Sequence, residues 1–418
     1  MRLAERIKSA LVLALLAALL WALVVPGGGE KRCGGGGFAP ARPAEAAIPA
    51  AATVDAPPVP LTPVTARAAA IHDAVTGAVL FEQDAGGRLE PASLVKLMTL
   101  YLAFADLRRG AVKNDEPVPV SEKAWRTGGS RMFIQVDTTV PFGDLLRGVA
   151  VASGNDAAVA VAERLAGTEE AFAARMNAAA AEFGLKNTSF VNSHGLPVAG
   201  QYMSAGDAAR LGVRLVSDFP ESVAVTGQKQ FTYGGITQAN RNQLLFTDPR
   251  VDGIKTGHTL EAGYNVVATG KSGDMRLVVA VVGAPTEAGR FAVAEQLLNY
   301  GFSQFQTTVH VREGESLGAL RVYKGRRGTV GVVAGRGLAV TSPRGAAGNL
   351  KTQLALEKTV VAPLAAGQKV GEVILYRDNE EVGRADALAS AAVARGSLWR
   401  VAWDSLVLAL RRVFRRGP

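Results

Sequence analysis

Two short apolar runs open the regular part of the hydrophobic pattern and flank a cluster of turn residues. They extend from Ala68 to Ile71 and from Val79 to Phe81, with Asp73-Ala-Val-Thr-Gly77 between them. Two apolar runs joined by Asp, Thr and Gly are typical of a β-hairpin. Beyond Pro91, the segment 93–105 is apolar on nearly every face, which predicts a helix at the centre of a core.

The middle of the chain combines helical periodicity with a second pair of strand-like runs. Tyr264-Asn-Val-Val-Ala and Leu277-Val-Val-Ala-Val-Val are separated by Gly-Lys-Ser-Gly-Asp, which predicts a hairpin, and an amphipathic helix follows from about 286 to 300. Helical periodicity before this hairpin covers 142–166, 168–183 and 204–217. Strands first, helices in the middle, then strands and a helix predict an α/β domain over 67–303.

Beyond this domain the pattern changes twice. Residues 308–395 contain short Val-rich runs and frequent glycines, which predict a small all-β domain, and 397–416 return to helical periodicity. The apolar stripe of this terminal helix consists of Trp399, Trp403, Leu406, Leu410 and Phe414, and its other side carries Arg400, Asp404, Arg411 and Arg415. Such a helix is expected to lie on an anionic membrane surface rather than cross it; the alternative is a helix packed on its own protein.

The N-terminal segment has the composition of an export signal. Residues Arg2 to Lys8 carry net positive charge, Ala10 to Val25 contain no charged residue, and Ala-Glu-Ala follows at 44–46. We therefore predict a signal peptide and leader at 1–46, followed by an Ala- and Pro-rich linker at 47–66. A retained transmembrane anchor is the competing interpretation, but the uncharged run is short for a membrane span.

Composition narrows the classes of function. A chain of 418 residues can hold two or three domains. The net charge of +9 would suit nucleic acid, but six arginines lie at or beyond Arg395 and no zinc-finger spacing occurs, so we expect no nucleic-acid partner. Cys33 is the single cysteine, and the four histidines are scattered. We therefore expect neither a metal nor a cofactor.

Three short motifs carry the chemistry, and they occur in one order. They are Ser93-Leu-Val-Lys96, Ser153-Gly-Asn155 and Lys255-Thr-Gly257, and each occurs once. Each alone is a weak signal, because a single S-x-x-K is expected by chance in a chain of this length. Together they match the trio of the β-lactamases and penicillin-binding proteins.

Ser93 is the expected nucleophile and Lys96 its base. Residues three apart share a helix face, so the lysine amine can reach the serine hydroxyl, and a helix N-terminus favours the anion that develops there. A lysine can act as a base only if its pKa is lowered by burial or by a second cation. The apolar neighbours of Lys96 provide burial, and Lys255 is the candidate second cation.

The other two motifs supply groups around this nucleophile. Gly154 permits a tight turn that leaves the Ser153 hydroxyl and the Asn155 amide in a cleft, where the hydroxyl can relay a proton. Without the other two motifs, Ser153-Gly-Asn155 would indicate an ordinary helix cap. Lys255 and Thr256 can hold a terminal carboxylate, while Gly257 leaves room for a substrate backbone. The backbone N–H groups of Ser93 and His258 are the expected oxyanion donors.

These residues resemble the penicillin-binding D-alanyl-D-alanine carboxypeptidases over about 65 to 415. The similar segments are Pro91-Ala-Ser-Leu-Val-Lys-Leu-Met-Thr99, Phe133-Ile-Gln-Val, Thr139-Val-Pro, Asp144-Leu-Leu-Arg-Gly148, Asn240-Arg-Asn242, Lys255-Thr-Gly-His-Thr259 and Ala262-Gly-Tyr264. The resemblance implies a β-lactamase/transpeptidase-like α/β domain, with an antiparallel sheet, helices on both faces and an all-helical lobe. The small β-rich domain and the amphipathic helix would follow it. Val95 departs from the family, which more usually has a small polar residue there.

The resemblance also implies roles. Ser93 would be acylated and Lys96 would be its base. Ser153 and Asn155 would act as proton shuttle and positioner, and Lys255 with Thr256 would bind the substrate carboxylate. Arg241 and Arg290 align with residues near the carboxylate end of the family's site, although Arg290 could equally be a solvated helix-face arginine. The substrate would be the D-Ala-D-Ala end of a peptidoglycan pentapeptide, and β-lactams would acylate Ser93. The enzyme would act in the periplasm, peripherally on the inner membrane, in cell-wall organisation and cell shape.

Other functions share these motifs. A class A β-lactamase would need an E-x-x-L-N glutamate between the second and third motifs, whereas Glu295-Gln-Leu-Leu-Asn299 follows Lys255 on the predicted closing helix. We interpret Leu297 and Leu298 as core residues. A D,D-endopeptidase would need only a different acceptor groove. A β-lactam sensor or wall-binding scaffold would keep the fold without turnover.

Overall fold

The computed structural model describes residues 59–346 and 348–414. The predicted signal peptide and leader at 1–46 lie outside the described residues, as do most of the predicted linker and the last residues of the predicted tail.

The first domain contains an antiparallel sheet and a set of helices. Its strands are β1 Ala68–Asp73, β2 Val79–Gln83, β3 Pro117–Pro119, β4 Thr139–Pro141, β5 Thr188–Ser189, β6 Tyr202–Met203, β7 Gln230–Tyr233, β8 Ile236–Ala239, β9 Val251–Thr259, β10 Gly263–Ser272 and β11 Met275–Ala284. Its α-helices are α1 Lys96–Arg108, α2 Glu122–Arg126, α3 Phe142–Arg147, α4 Asn155–Ala166, α5 Glu169–Glu182, α6 Ala205–Asp218, α7 Val223–Thr226, α8 Leu244–Thr247 and α9 Glu287–Gln304. Short 3₁₀ turns cover Ala92–Val95 and Pro220–Ser222, and a π-helical turn covers Gly148–Ala152.

The main sheet has the strand order β2-β1-β11-β10-β9, with all neighbours antiparallel. Side chains alternate between its two faces, as the strand period of two requires. Val278 and Ala280 of β11 join the core that contains α1 and α6, whereas Leu277 and Val279 join the core that contains α9. The predicted hairpins and the predicted layer of helices on each face are therefore confirmed. β9 is left as an edge strand.

An all-helical lobe packs against one side of this sheet. Helix α1 lies in its centre and is buried on almost every face, as its uniformly apolar sequence predicts. The predicted helix 142–166 is instead interrupted: α3 continues into the π-helical turn, and α4 begins at Asn155. The second motif occupies this interruption.

The second domain consists of strands. They are β12 Phe305–Val311, β13 Ser316–Tyr323, β14 Thr329–Ala334, β15 Leu338–Pro343, β16 Leu350–Leu356, β17 Val360–Val361, β18 Lys369–Arg377 and β19 Glu380–Ala389. One sheet has the order β16-β18-β19-β14-β13-β17, and β12 pairs with β15. Its join to the first domain is polar and buried: the Asp73 carboxylate accepts hydrogen bonds from Thr307 and Thr341. The predicted all-β class of this domain is confirmed.

The final helix, α10 Leu398–Phe414, packs on its own protein, the alternative considered from the sequence, and leaves its apolar stripe exposed. Its polar side packs on the β domain: Asp404 is 3% exposed and accepts a hydrogen bond from the Lys324 backbone N–H at 2.5 Å. Its apolar stripe faces outward, with Trp399 82% and Trp403 65% exposed. No helix in the described part of the chain is long and apolar enough to cross a membrane.

Candidate active site

Ser93 lies on the 3₁₀ turn Ala92–Val95, immediately before α1. Ala92 has a φ of 48°, in the left-handed region that a non-glycine residue seldom adopts. The α-helix itself begins at Lys96, so this turn carries the serine directly beside the first helical residue. The Ser93 Oγ and Lys96 Nζ atoms are 3.0 Å apart.

Lys96 is 0% exposed, and two other oxygens are bound to its amine. The Asn155 Oδ1 and the His194 carbonyl oxygen each lie 2.6 Å from Nζ. A neutral amine has two N–H groups and one lone pair, so these two oxygens can take both protons and leave the lone pair for the Ser93 hydroxyl. Burial, followed by the charge of Arg241, lowers the pKa of Lys96 to about 7, while Asp156 opposes this shift.

The second motif forms a strained connection between the π-helical turn and α4. Ser153, rather than the glycine, adopts the left-handed conformation, with φ 57°. Gly154 is required for space, because a Cβ there would lie 2.8 Å from the Asp156 Oδ1 and 3.0 Å from the Met132 backbone nitrogen. The Ser153 hydroxyl accepts a hydrogen bond from Lys255 Nζ at 2.9 Å.

Both the oxygen and the nitrogen of the Asn155 side-chain amide form hydrogen bonds. Its Oδ1 binds Lys96, and its Nδ2 donates to the Gly128 carbonyl at 2.7 Å. Asn155 does not line the open cleft, and the contacts that it makes fix Lys96 and the 128–130 loop. This geometry places the Asn155 side chain beside Lys96 rather than in the cleft.

Asp156 anchors the loop that forms another side of the site. Its carboxylate accepts hydrogen bonds from two backbone N–H groups. The Met132 nitrogen lies 2.8 Å from Oδ1, and the Phe133 nitrogen lies 2.8 Å from Oδ2. Phe133 has a φ of 70°, so these bonds hold the loop in a conformation that costs free energy. The S-x-N motif does not predict this role of Asp156, the residue that follows it. The donors are backbone N–H groups, and these have no sequence pattern.

Gly257 allows β9 to approach the turn that carries Ser93. A Cβ at this position would lie 3.1 Å from the Ser93 nitrogen and 3.0 Å from the Pro91 carbonyl oxygen, which is closer than side chains normally come. Since β9 is an edge strand, its free side is available to pair with an extended peptide. The His258 ring stacks on Tyr264 with the centroids 4.0 Å apart.

A cleft of about 650 Å³ opens in front of Ser93 and is cationic at one end. Ser93, Ser153, Thr256 and His258 line it, together with Arg241 and Arg290. Arg290 is 3% exposed and donates to the Gly257 carbonyl at 3.3 Å and to Glu287 at 2.7 Å. The alternative of a solvated helix-face arginine is therefore wrong.

Lys255 occupies a different place from the one that the sequence suggested. Its amine does not line the cleft; it lies behind Ser153, with the Thr256 carbonyl oxygen at 2.9 Å. Burial lowers the pKa of Lys255 well below its ordinary value, and the charges of Lys96, Arg241 and Arg290 lower it further. Arg241, not Lys255, is the cation that most lowers the pKa of Lys96.

His194 belongs to the site through its backbone. Its carbonyl accepts from Lys96, while its ring is 3.4 Å from Glu169. Burial lowers the pKa of His194 to about 4, although Glu169 opposes this shift. Gly195 packs against the serine turn, since a Cβ there would lie 1.9 Å from the Ala92 carbonyl oxygen. A contact made by a carbonyl oxygen is independent of side-chain identity, so the sequence did not reveal it.

The E-x-x-L-N segment lies away from this cleft. Leu297 and Leu298 are buried in the core between α9 and the sheet, as predicted, and Glu295 is exposed.

Comparisons with known proteins agree with this arrangement. A family model described as "D-alanyl-D-alanine carboxypeptidase" matches residues 51–286, and one described as "Penicillin-binding protein 5, C-terminal domain" matches 305–395. The chain is 38% identical over 379 residues to a D-alanyl-D-alanine carboxypeptidase, DacC, of Escherichia coli, which covers 89% of this chain and 94% of that protein.

Two solved structures are also similar. Penicillin-binding protein 5 of Haemophilus influenzae is 38% identical, with a TM-score of 0.65 over 81% of this chain and all of that chain. Penicillin-binding protein D2 of Listeria monocytogenes, in an ampicillin-bound form, is 32% identical, with a TM-score of 0.54 over 58% of this chain and all of that chain.

Proposed function

Because the chain belongs to the D-alanyl-D-alanine carboxypeptidase family of serine peptidases, we propose that the Ser93 cleft performs this reaction through an acyl-serine intermediate. The observation that carries the proposal is the hydrogen bonding of Lys96. The Asn155 and His194 oxygens lie within hydrogen-bonding distance of its amine, and Nζ lies 3.0 Å from the Ser93 Oγ, so the neutral amine can donate to both oxygens and direct its lone pair at the hydroxyl. This is the geometry that a general base requires.

Acylation follows from these positions. Lys96 removes the hydroxyl proton as Ser93 Oγ attacks the carbonyl carbon of the D-Ala-D-Ala bond. The backbone N–H groups of Ser93 and His258 are the proposed donors to the resulting oxyanion. Gly257 supports this assignment, because it allows the strand to lie against the serine turn. The bond to the terminal residue then breaks, and water later hydrolyses the acyl-serine.

Ser153 is proposed to deliver the proton to the leaving amine. Its hydroxyl lines the cleft and accepts a hydrogen bond from Lys255, 2.9 Å away. A hydroxyl can donate its own proton to the leaving nitrogen while it accepts a second proton from the lysine amine on its other side. Lys255 therefore acts through Ser153.

Arg241, Arg290 and Thr256 are proposed to bind the terminal carboxylate of the substrate. Arg290 is fixed by its bonds to Gly257 and Glu287, whereas Arg241 is exposed and forms no ion pair within the described residues. A free guanidinium beside a fixed one suits a carboxylate, which accepts several charge-assisted hydrogen bonds. The free carboxylate of the substrate would then determine that the enzyme removes a terminal residue.

We expect Arg241→Gln to lower kcat/KM for a D-Ala-D-Ala peptide by about 10- to 100-fold, because a charge-assisted hydrogen bond contributes about 1.5–3 kcal/mol. Measured well above pH 7, where Lys96 is neutral with or without the charge of Arg241, the loss should nearly vanish on the same peptide with a C-terminal amide. Arg126→Gln, which removes an exposed cation outside the cleft, is the matched control. Equal losses on the acid and the amide would contradict the carboxylate assignment.

The overall reaction is tested by incubating the purified chain with diacetyl-Lys-D-Ala-D-Ala and measuring free D-alanine. Release of D-alanine supports the carboxypeptidase. Labelling of Ser93 by a fluorescent penicillin without any release would instead indicate a sensor. Cleavage confined to cross-linked peptides would indicate an endopeptidase, and rapid hydrolysis of the penicillin would indicate a β-lactamase.

We also propose that the protein is exported and works at the periplasmic face of the inner membrane, held there by α10. The outward apolar stripe supports this, because the helix already uses its polar side to pack on the β domain. The peptidoglycan substrate of this family lies outside that membrane, in agreement with the predicted signal peptide.

Replacing Trp399 and Trp403 together with Ser should weaken binding to vesicles that contain anionic lipid by at least about tenfold, because each exposed indole would lose its apolar contact. Co-sedimentation of the full chain with the vesicles measures this change. Trp125→Ser, which alters a partly exposed tryptophan of the first domain, should leave binding intact. Unchanged binding of the double variant would exclude α10 as the anchor.

A further inference from the structure

Glu169 is a buried carboxylate that lies behind the active site and does not line the cleft. It is the first residue of α5, follows the capping residue Thr168 and is 6% exposed. Burial raises the pKa of Glu169, but hydrogen bonds from the backbone N–H and the hydroxyl of Ser193 outweigh this effect, so the pKa is lowered overall. The carboxylate is therefore ionised at neutral pH. Because a buried charge needs compensating partners, its contacts indicate what it does.

The Glu169 carboxylate binds the segment that contains His194. Its Oε1 accepts hydrogen bonds from the Ser193 N–H at 3.0 Å and from the Ser193 hydroxyl at 2.7 Å. The His194 Nε2 lies 3.4 Å from the same oxygen. Since His194 Nδ1 accepts from the Leu196 N–H at 3.1 Å, the proton of the neutral ring is on Nε2, the nitrogen beside Glu169. One carboxylate oxygen thus contacts three groups on two consecutive residues.

This segment reaches the active site through its backbone carbonyls. The Ser193 carbonyl accepts from the buried Thr99 hydroxyl at 2.6 Å, and the His194 carbonyl accepts from Lys96 Nζ, also at 2.6 Å. Peptide units are planar, so a carbonyl oxygen cannot move without the groups on either side of it. By holding the Ser193 N–H and contacting the His194 ring, Glu169 therefore restricts the position of the oxygen that binds Lys96.

The second oxygen of Glu169 leads to the other acceptor of Lys96. Its Oε2 lies 3.1 Å from Lys123 Nζ, on α2. The loop after α2 contains Gly128, whose carbonyl accepts from the Asn155 side-chain amide, and the oxygen of that amide accepts from Lys96. Both oxygens that bind the Lys96 amine are therefore connected to one carboxylate, the first through two residues and the second through a helix and a loop.

We propose that Glu169 is a positioning residue for acylation, which holds the His194 carbonyl oxygen against the Lys96 amine and thereby keeps the lone pair of the amine directed at Ser93. The inference rests on the proposed function, since it takes Lys96 as the base. Glu169 itself does not touch the substrate. If the His194 oxygen moved away, the amine would lose one of its two acceptors. It could then turn an N–H group toward the Ser93 oxygen, where that N–H would replace the lone pair.

Glu169→Ala should lower the acylation rate constant by about tenfold, the effect typical of one lost hydrogen bond, and move its pH dependence to lower pH. The ammonium form of Lys96 gains more from an acceptor than the neutral form does, so loss of the His194 oxygen lowers the pKa of Lys96 further below its ordinary value. Loss of the Glu169 charge acts in the same direction. The other charged groups around the amine, which this variant leaves in place, are Asp156, Arg241 and Lys255.

The measurement is stopped-flow acylation of the full chain by a fluorescent penicillin, from about pH 5 to about pH 9. Its amplitude gives the folded fraction and its rate constant describes the folded molecules, so a partly unfolded variant cannot imitate the result. Glu170→Ala is the matched control, because Glu170 also pairs with Lys123, at 2.8 Å, but is exposed and contacts neither Ser193 nor His194 within the described residues. It should acylate as the wild type does at every pH.

Two further variants separate positioning from a general structural role. Glu169→Gln keeps an oxygen that can accept from Ser193, so its rate constant should lie within about threefold of the wild type. Ser193→Ala removes only the 2.7 Å hydrogen bond and should show a smaller loss with the same downward shift in pH midpoint. It carries the test if Glu169→Ala gives no amplitude.

The assignment is overturned by a wild-type rate constant in Glu169→Ala, or by a lower rate constant whose pH midpoint is unchanged or raised. Equal losses in Glu169→Gln and Glu169→Ala would also overturn it, because an acceptor oxygen should restore the position of the His194 carbonyl. If Ser193→Ala has to carry the test, an unchanged rate constant and midpoint in that variant overturn it. Failure of the wild type to acylate at Ser93 would instead contradict the proposed function.

Discussion

Replacing Ser93 with Ala should abolish release of D-alanine, with kcat lowered by at least about 10⁴-fold. The reason is that the hydroxyl 3.0 Å from the Lys96 amine is the proposed attacking group, and no second hydroxyl lies within hydrogen-bonding distance of that amine in the described chain. The substitution removes one oxygen atom from a half-buried position, so the fold should be retained. Release of D-alanine is measured with an enzyme-coupled assay over hours.

Ser130→Ala is the matched control for this variant. Ser130 also lines the cleft, but its side chain has no hydrogen bond to Lys96. It should retain far more activity than Ser93→Ala. A Ser93→Ala protein that still turns over peptide, or that still forms a covalent adduct with penicillin, would show that another residue is acylated.

Lys96→Gln should lower the acylation rate by about 10²- to 10⁴-fold, the contribution typical of a general base. Glutamine retains N–H donors for the Asn155 and His194 oxygens but has no basic lone pair, so the variant separates basicity from packing. The acylation rate is measured by stopped-flow with a fluorescent penicillin. Lys271→Gln, at an exposed lysine far along β10, should acylate normally.

The pH dependence of the wild-type enzyme follows from the same group. Lys96 must be neutral to accept a proton, and its pKa is lowered to about 7 by burial and by Arg241. The value of kcat/KM should therefore be low below pH 7 and rise as the pH passes through about 7, because the free enzyme loses a proton from Lys96. Since Lys255 titrates beside it, the observed midpoint belongs to the pair of amines. A profile without this rise would contradict the assignment of Lys96 as the base.

Much of the fold followed from local pattern. The β1–β2 and β10–β11 hairpins are marked by apolar runs that flank turn residues, and α1 by a segment that is apolar on every face. These signals are strong because buried side chains repeat along the sequence with the period of the helix or strand that carries them. The three motifs likewise indicated residues that the structure brings to one site, since Ser93, Lys96 and Asn155 are hydrogen-bonded together and Ser153 is bonded to Lys255.

The sequence was less informative where contacts depend on the backbone or on distant packing. The His194 carbonyl and the donors to Asp156 belong to main-chain atoms, which have no residue signature. The positions of Lys255 and Arg241 relative to the cleft depend on how β9 packs against the serine turn, and no spacing along the chain records that distance. For the same reason the polar side of α10 could be recognised as polar but not assigned to the β domain. The proposed domain boundaries, the roles of the site residues and the signal peptide remain predictions.

The central claim, an acyl-enzyme on Ser93, is tested most directly by mass spectrometry of the full chain after brief incubation with a penicillin, followed by proteolysis and sequencing of the modified peptide. The account predicts an added mass equal to one intact penicillin, located on Ser93, and no addition in Ser93→Ala. An adduct on any other residue, or no adduct on a protein that still hydrolyses D-Ala-D-Ala peptides, would contradict it.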